Sequence, residues 1–155
     1  MSESLCGSCT LCCKLMRIDE LDKPAGSWCE HCNPRQGCGI YEQRPQGCRD
    51  FECVWLQSQL RRHGEAALPA EARPDRSRVV LNVAGDSSRL VFHVDPAAPE
   101  AHRRGVLGRL YDSEIRRGHA PVVVCGEWRS MIGIGRWREG DRAGERIPMN
   151  GEKGA

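Results

Sequence analysis

Nine of the ten cysteines lie between Cys6 and Cys53, and four of them form one run, Cys6-x-x-Cys9-x-x-Cys12-Cys13. Thiols at this density serve either a disulfide framework or bound metal. In both cases cross-links replace much of the apolar burial that a domain otherwise needs. Disulfides belong to oxidising compartments, which chains normally reach behind a signal peptide. Residues Met1-Ser2-Glu3-Ser4-Leu5 offer neither a basic n-region nor an apolar h-region, and no apolar run is long enough to span a membrane. The expected address is therefore cytoplasmic, away from membranes, where thiols stay reduced unless a metal holds them. Nine is also an odd number, so complete internal pairing leaves one cysteine over. Adjacent Cys12 and Cys13 cannot bond each other without strain, whereas both can ligate. The balance favours metal.

A chain of 155 residues suits one compact domain, or a small metal module on a modest core. Only two Phe and two Tyr are present, and the shortage of apolar residues is concentrated in the cysteine-rich third. Lys and Arg number 23 against 21 Asp and Glu, a formal charge of +2. Bound thiolates would lower it further, so nothing predicts strong nucleic-acid binding or an acidic membrane partner. A protein partner stays open.

Along the chain, residues 2–51 show no sustained period, only Gly, Pro, Asn and Cys punctuation, and read as loops and turns wrapped around something. A short helix is expected between Cys48 and Arg62, where Phe51, Val54, Trp55 and Gln59 keep helical spacing. Residues 64–76 read as a linker or exposed loop. The second half alternates differently. Residues 78–84 and 89–94 read as strands about a turn at Gly85-Asp86-Ser87-Ser88. A helix follows from about Pro99 to Arg117, with Val106, Leu107, Leu110, Tyr111 and Ile115 toward the core and Gly118 as its stop. Residues 121–125 and 131–134 read as a second hairpin turning at Gly126-Glu127. The expected fold is α+β: a loop-rich cysteine metal module over residues 1–62, packed on a small antiparallel β-β-α-β-β unit over 77–137. Residues 138–155 form a charged, Gly-rich tail.

The cysteines fall as Cys6/Cys9, Cys12/Cys13, Cys29/Cys32, Cys38, Cys48 and Cys53. A two-residue gap lets one tight turn aim two sulfurs at one ion, and two such pairs complete a Cys₄ zinc site. The run Cys6, Cys9, Cys12 equally matches the opening of an iron–sulfur site, C-x₂-C-x₂-C, although Cys13 stands where a ferredoxin would continue for three more residues. Zinc and an iron–sulfur cluster both remain open. The tight run, and more thiols than one zinc uses, lean toward the cluster.

Cys6-Gly-Ser-Cys9-Thr-Leu-Cys12-Cys13, followed by Gly37-Cys38-Gly-Ile-Tyr41-Glu-Gln-Arg44-Pro45-Gln-Gly-Cys48-Arg49, resembles the CxxCxxCC family, the YkgJ-like cysteine-cluster proteins described as zinc- or iron-chelating. The resemblance covers about the first third of the chain. It implies chelation by Cys6, Cys9, Cys12, Cys13, Cys32, Cys38, Cys48 and Cys53. Thr10 departs from the family, many of whose members have glycine there, and Cys29 is an extra. Some relatives, such as flagellin lysine methylases, are much longer, and that activity does not carry over to a chain of this length. Arg44 and Arg49 are candidates to offset thiolate charge by donating hydrogen bonds, with Pro45 fixing the turn between Tyr41 and Cys48; ordinary surface roles compete evenly.

Other residues invite bland readings. His31 stands between Cys29 and Cys32, but the thiols make it dispensable. His63, His93, His102 and His119 read as packing or surface histidines. Cys125 reads as an inert thiol in an apolar run rather than a nucleophile. Gly133-Ile134-Gly135 is only a fragment of a dinucleotide fingerprint, and Trp28, Trp55, Trp128 and Trp137 read as covers for metal loops or sheet faces. No acid–base pair, phosphate loop or nucleophile motif argues for an enzyme. Three functions follow: a chelating module with a structural or interaction role, a redox or metal sensor or electron carrier, and an enzyme with an open coordination position.

Overall fold

The structure is a computed structural model and describes residues 6–62, 64, 66–84 and 89–138. The expected turn at 85–88, His63 and the tail beyond Arg138 lie outside the described residues.

The first third is built from very short elements, as its punctuation predicts. Helix α1 spans Cys12–Leu15, a two-strand ribbon pairs β1 (Cys32–Asn33) with β2 (Gly37–Cys38), and helix α2 spans Gln46–Asp50. The helix expected between Cys48 and Arg62 is broken in two. Residues 51–53 interrupt it, and α3 (Val54–Gln59) starts afresh with Cys53 as its N-cap, the sulfur accepting from the Leu56 N–H at 3.5 Å.

The reading of 64–76 as a linker or exposed loop holds for residues 64 and 66–69, which form no helix or strand, and fails beyond them. Ala70–Ala72 form a 3₁₀ turn and α4 (Pro74–Ser77) follows, with Ala72 and Pro74 buried. Proline at the first helical position needs no N–H partner there, which is why an Ala-, Pro- and charge-rich stretch still folds.

The sheet is five-stranded and mixed, in the order β3 (Val79–Val83), β4 (Leu90–Val94), β5 (Val122–Cys125), β6 (Trp128–Met131) and β7 (Gly135–Arg138). The antiparallel expectation therefore fails at one pair: β4 and β5 run parallel, Phe92 opposite Val123. Helix α5 (Gly105–Arg116) is long enough to carry the chain back to the other end of the sheet, which a parallel neighbour requires. The second hairpin does turn at Gly126-Glu127, but its return strand is Trp128–Met131. Residues 132–134 are a turn into the unforeseen strand β7, with Gly133 and Gly135 at φ of 81° and 101°. Only glycine takes that backbone cheaply.

Two apolar cores hold these parts. The larger joins Val79, Leu81, Phe92, Val94 and Val123 of the sheet to Leu107 and Tyr111 of α5, with the Tyr111 ring edge-on to Phe92 at 5.4 Å. Side chains such as Phe92 and Leu107, at 0% and 1% exposure, each contribute about 1.5–3 kcal/mol. The smaller joins Leu11, Leu15, Cys53 and Leu56 to Val80 on β3, so the cysteine-rich third sits directly on the sheet. Trp55 packs against both cores.

Two further contacts fix that docking. A Cβ added to Gly26 would meet the Gly126 Cα at 3.0 Å, so only glycine permits this approach of loop to hairpin. Asp95, at 0% exposure, accepts from Lys14 Nζ at 2.8 Å, from the Ala97 N–H at 2.9 Å and from Arg78. Burial alone would raise its pKa, but the Lys14 and Ala97 hydrogen bonds and the Arg78 charge outweigh it and hold the carboxyl below its ordinary value.

Candidate metal centre

Every expected ligand except Cys53 lines one cavity. Cys6, Cys9, Cys12, Cys13, Cys32, Cys38 and Cys48 surround it, joined by the extra Cys29, and its volume is about 180 Å³. That is far more than one water molecule needs. Gathering thiols from five separate stretches takes specific backbone wiring. The Cys6–Cys9 turn closes through Cys9 N–H to the Cys6 carbonyl at 3.1 Å, and the Cys29 N–H reaches the Cys13 carbonyl at 2.9 Å. The Gly39 N–H bonds the His31 carbonyl at 2.7 Å, which locks the ribbon carrying Cys32 and Cys38. Buried Thr10 accepts from the Arg35 N–H at 3.1 Å, so the position that departs from the resembled family ties the ribbon to the cysteine run.

The sulfurs sense one another. Hydrogen bonding to Cys12, then burial, pushes the Cys13 thiol well above its ordinary value. Burial, then the neighbouring Cys13, pushes Cys32 up to about 12. Cys48 is raised by burial and then by Cys13, Cys29 and Cys38. Thiols crowded in this way resist ionising together. Cys9, Cys12, Cys13, Cys29, Cys32, Cys38, Cys48 and Cys53 carry no disulfide. As they stand, no three Cys, His or carboxylate side chains among the described residues are drawn tightly enough around one point to hold an ion.

The donor set nevertheless fits a thiophilic metal. Eight thiols face one cavity, and thiolate ligands select zinc, copper(I) or iron–sulfur clusters. Each sulfur hangs on a single torsion with three staggered wells, so rotation about χ1 redirects it without moving backbone. Arg44, also in the wall, keeps a buried Nε–H with no hydrogen-bond partner while its guanidinium lies 3.8 Å from the Tyr41 ring centroid. Arg49 does not take the role expected of it. Its donors go to the Arg44 carbonyl, at 2.9 Å, and to the Glu42 carbonyl, so it shapes the loop instead of meeting sulfur.

The charge expected from the arginines comes instead from Lys23, a residue sequence reasoning missed. It is buried at 7% exposure, and Nζ donates to the carbonyls of Lys14 (2.8 Å), Met16 (2.5 Å) and Pro24 (2.8 Å). Burial lowers its pKa, while Cys29, Cys13, Cys12 and Cys48 act to raise it. All three N–H groups are spent on carbonyls, so Lys23 offers the thiolates charge and not hydrogen bonds. A lysine followed by proline on a polar loop carries no sequence signal of burial; only the chain wrapping around it reveals the role.

The remaining residues keep modest parts. His31 lines the cavity beside exposed Glu30, 3.5 Å away. His119 pairs with Glu114 at 2.7 Å, His93 with Asn82 at 2.6 Å, and His102 packs on Tyr111. Cys125 is half-buried, and burial pushes its thiol up, the opposite of a nucleophile's needs. Trp28 is exposed and Trp128 is covered by Arg136 and Arg138. No helix among the described residues is long and apolar enough to cross a membrane.

Compared with protein-family models, with curated proteins and with solved structures, the chain matches none.

Proposed function

We propose that this protein binds a thiophilic metal centre through its N-terminal cysteines, as an iron–sulfur cluster or as zinc. The single observation that carries the reading is the convergence of eight cysteines on one cavity beside a buried lysine whose donors are already used. The resemblance of the Cys6–Cys13 run and the Cys38–Cys48 stretch to the CxxCxxCC family supports the same chemistry. Cys12, Cys13, Cys29, Cys32, Cys38 and Cys48 are the residues nearest this role, with Lys23 offsetting the charge of a polythiolate site. The number of thiols and the size of the cavity favour a cluster over one zinc ion. When bound, the centre supplies either a structural cross-link or a one-electron couple; the chain's part is to hold the thiolates, exclude water and balance charge.

Elemental analysis with an absorbance spectrum, on protein purified without oxygen, tests this. Iron with matching acid-labile sulfide and broad visible absorbance is the expected result, and a reversible bleach on reduction would assign the electron-transfer or sensing role. Zinc without colour would make the site structural. Protein that folds fully with neither metal would overturn the proposal.

A further inference from the structure

Lys23 and Arg44 bring opposite resources to the thiol-lined cavity. All three Nζ donors of Lys23 are spent on the carbonyls of Lys14, Met16 and Pro24, so it gives charge without hydrogen bonds. Arg44 stands in the cavity wall with a donor unspent: its Nε is buried and has no hydrogen-bond partner. The other wall side chains able to carry positive charge are engaged elsewhere, Arg17 with Asp19 at 2.6 Å and His31 beside Glu30 at 3.5 Å.

We infer that Arg44 is a positioning residue of the proposed centre: its Nε–H donates to a sulfur of the bound metal or cluster and tunes the electron density of that sulfur. This rests on the metal-binding reading above and adds the residue that adjusts the centre.

Three observations carry it. A buried donor left without an acceptor is costly, and folded proteins keep few of them without a reason such as a bound ion. The side chain is also held in place. Its guanidinium lies 3.8 Å from the Tyr41 ring centroid, an aromatic contact that uses up no hydrogen-bond acceptor. The backbone beneath it is pinned too: Arg49 donates to the Arg44 carbonyl at 2.9 Å and to the Glu42 carbonyl. Pro45 follows as the N-cap of α2, its carbonyl accepting from the Cys48 and Arg49 N–H groups at 3.0 and 3.1 Å. Arg44 thus sits on a fixed loop that joins Cys38 in β2 to Cys48 in α2. The third observation is what the wall offers as acceptors. Its one carboxylate, Glu20, already accepts from the Gly47 N–H at 3.1 Å, which leaves the eight sulfurs. A neutral thiol is a weak acceptor, whereas a metal-bound thiolate or cluster sulfide carries the charge that makes the hydrogen bond strong. Hydrogen bonds of this kind help to set ligand strength and cluster potential.

The test compares wild type with R44M, which removes every donor at similar length, and with R44K, which keeps the charge and loses the Nε–H. Each is purified without oxygen, and far-ultraviolet circular dichroism checks the fold. The readouts are the sulfur-to-metal charge-transfer absorption, with cobalt(II) replacing zinc if the native protein is colourless, and the rate of metal loss to a chelator. Both variants should shift the absorption to lower energy, because a sulfur that has lost a hydrogen bond gives up its electrons more readily. Both should release metal about tenfold faster. In an iron–sulfur centre the oxidised state should be favoured about tenfold, which for one electron is a fall of ~59 mV. A purely structural role would change the folded fraction and leave its absorption in place. Variants that fold and keep the wild-type spectrum and rate would overturn the role of Arg44 and leave the metal centre standing. R44K alone matching wild type would overturn it in favour of charge. Should neither variant fold, wild-type protein loaded with cadmium-113 decides. A scalar coupling between the metal and the Arg44 Nε–H proton passes only through a hydrogen bond to a ligating sulfur, so its presence supports the role and its absence overturns it. A wild-type protein that takes up no metal would overturn both the role and the centre.

Discussion

The two halves of this molecule are held by different forces. The sheet half buries Val79, Leu81, Phe92, Val94, Leu107 and Tyr111 in one continuous core behind a twelve-residue helix. The cysteine-rich half offers Leu11, Leu15 and Leu56, helices of four to six residues and a ribbon of two-residue strands. Helices that short do not persist on hydrogen bonds alone. The first half is instead knitted by loop contacts and lined with thiols, so its stability is expected to depend on what those thiols hold. One half is held by a continuous apolar core, and the other by loop contacts around a thiol-lined cavity.

The sharpest way to break that contrast is to attack each half in its own currency. Stripping metal with a chelator should unfold residues 6–59 while strands β3 to β7 and helix α5 keep slow amide exchange; equal loss of protection in both halves would end the distinction. Phe92→Ala should do the converse, costing about 3–5 kcal/mol in denaturant unfolding while the folded fraction keeps its metal.

The next effect concerns the joint. Asp95→Asn removes the charge that Lys14 and Arg78 share, and should cost about 2–3 kcal/mol, measured by urea unfolding. The folded carboxyl lies below its ordinary value of 3.8, so its contribution is complete above that pH and fades as pH falls through the lower folded value. The wild-type protein should therefore lose stability below about pH 4 more steeply than Asp95→Asn.

The smallest effect is electrostatic. Burial and mutual crowding raise Cys32 to about 12 and move Cys9, Cys48 and Cys53 in the same direction, and ligation requires the thiolate. Metal affinity should consequently rise with pH across the neutral range, with protons released on binding. Lys23 favours the ionised form of Cys13, so Lys23→Met should lower affinity roughly tenfold and shift alkylation of the metal-free thiols to higher pH. An unchanged alkylation profile would reduce Lys23 to a structural clip for three carbonyls.

Much of the fold was legible because its signals are local. Apolar runs rich in Val at 79–83 and 90–94, and the spacing of Leu107 and Tyr111, mark strands and a helix wherever the chain goes. The direction of β5 was not legible, since periodicity reports which residues face the core and not which neighbour a strand chooses. Strand β7 was hidden by Arg136 and Arg138, whose guanidinium groups stack on Trp128 and so occupy a sheet face without looking apolar. In the site, the spacing of Cys6, Cys9, Cys12 and Cys13 announced a cluster of thiols, because a tight turn is all that is needed to aim two sulfurs together.

The sequence by itself determined that thiols crowd the first third and that a small α+β unit follows, since both are written in spacing over a few residues. Only the tertiary structure decided which cysteines share an environment. It brought Cys53 and Cys9 onto one small core, buried Lys23 among carbonyls, and set Arg73 against the Cys6–Cys9 turn. Those contacts join residues far apart in sequence, and their energies depend on burial, charge and direction in space, none of which a linear spacing encodes.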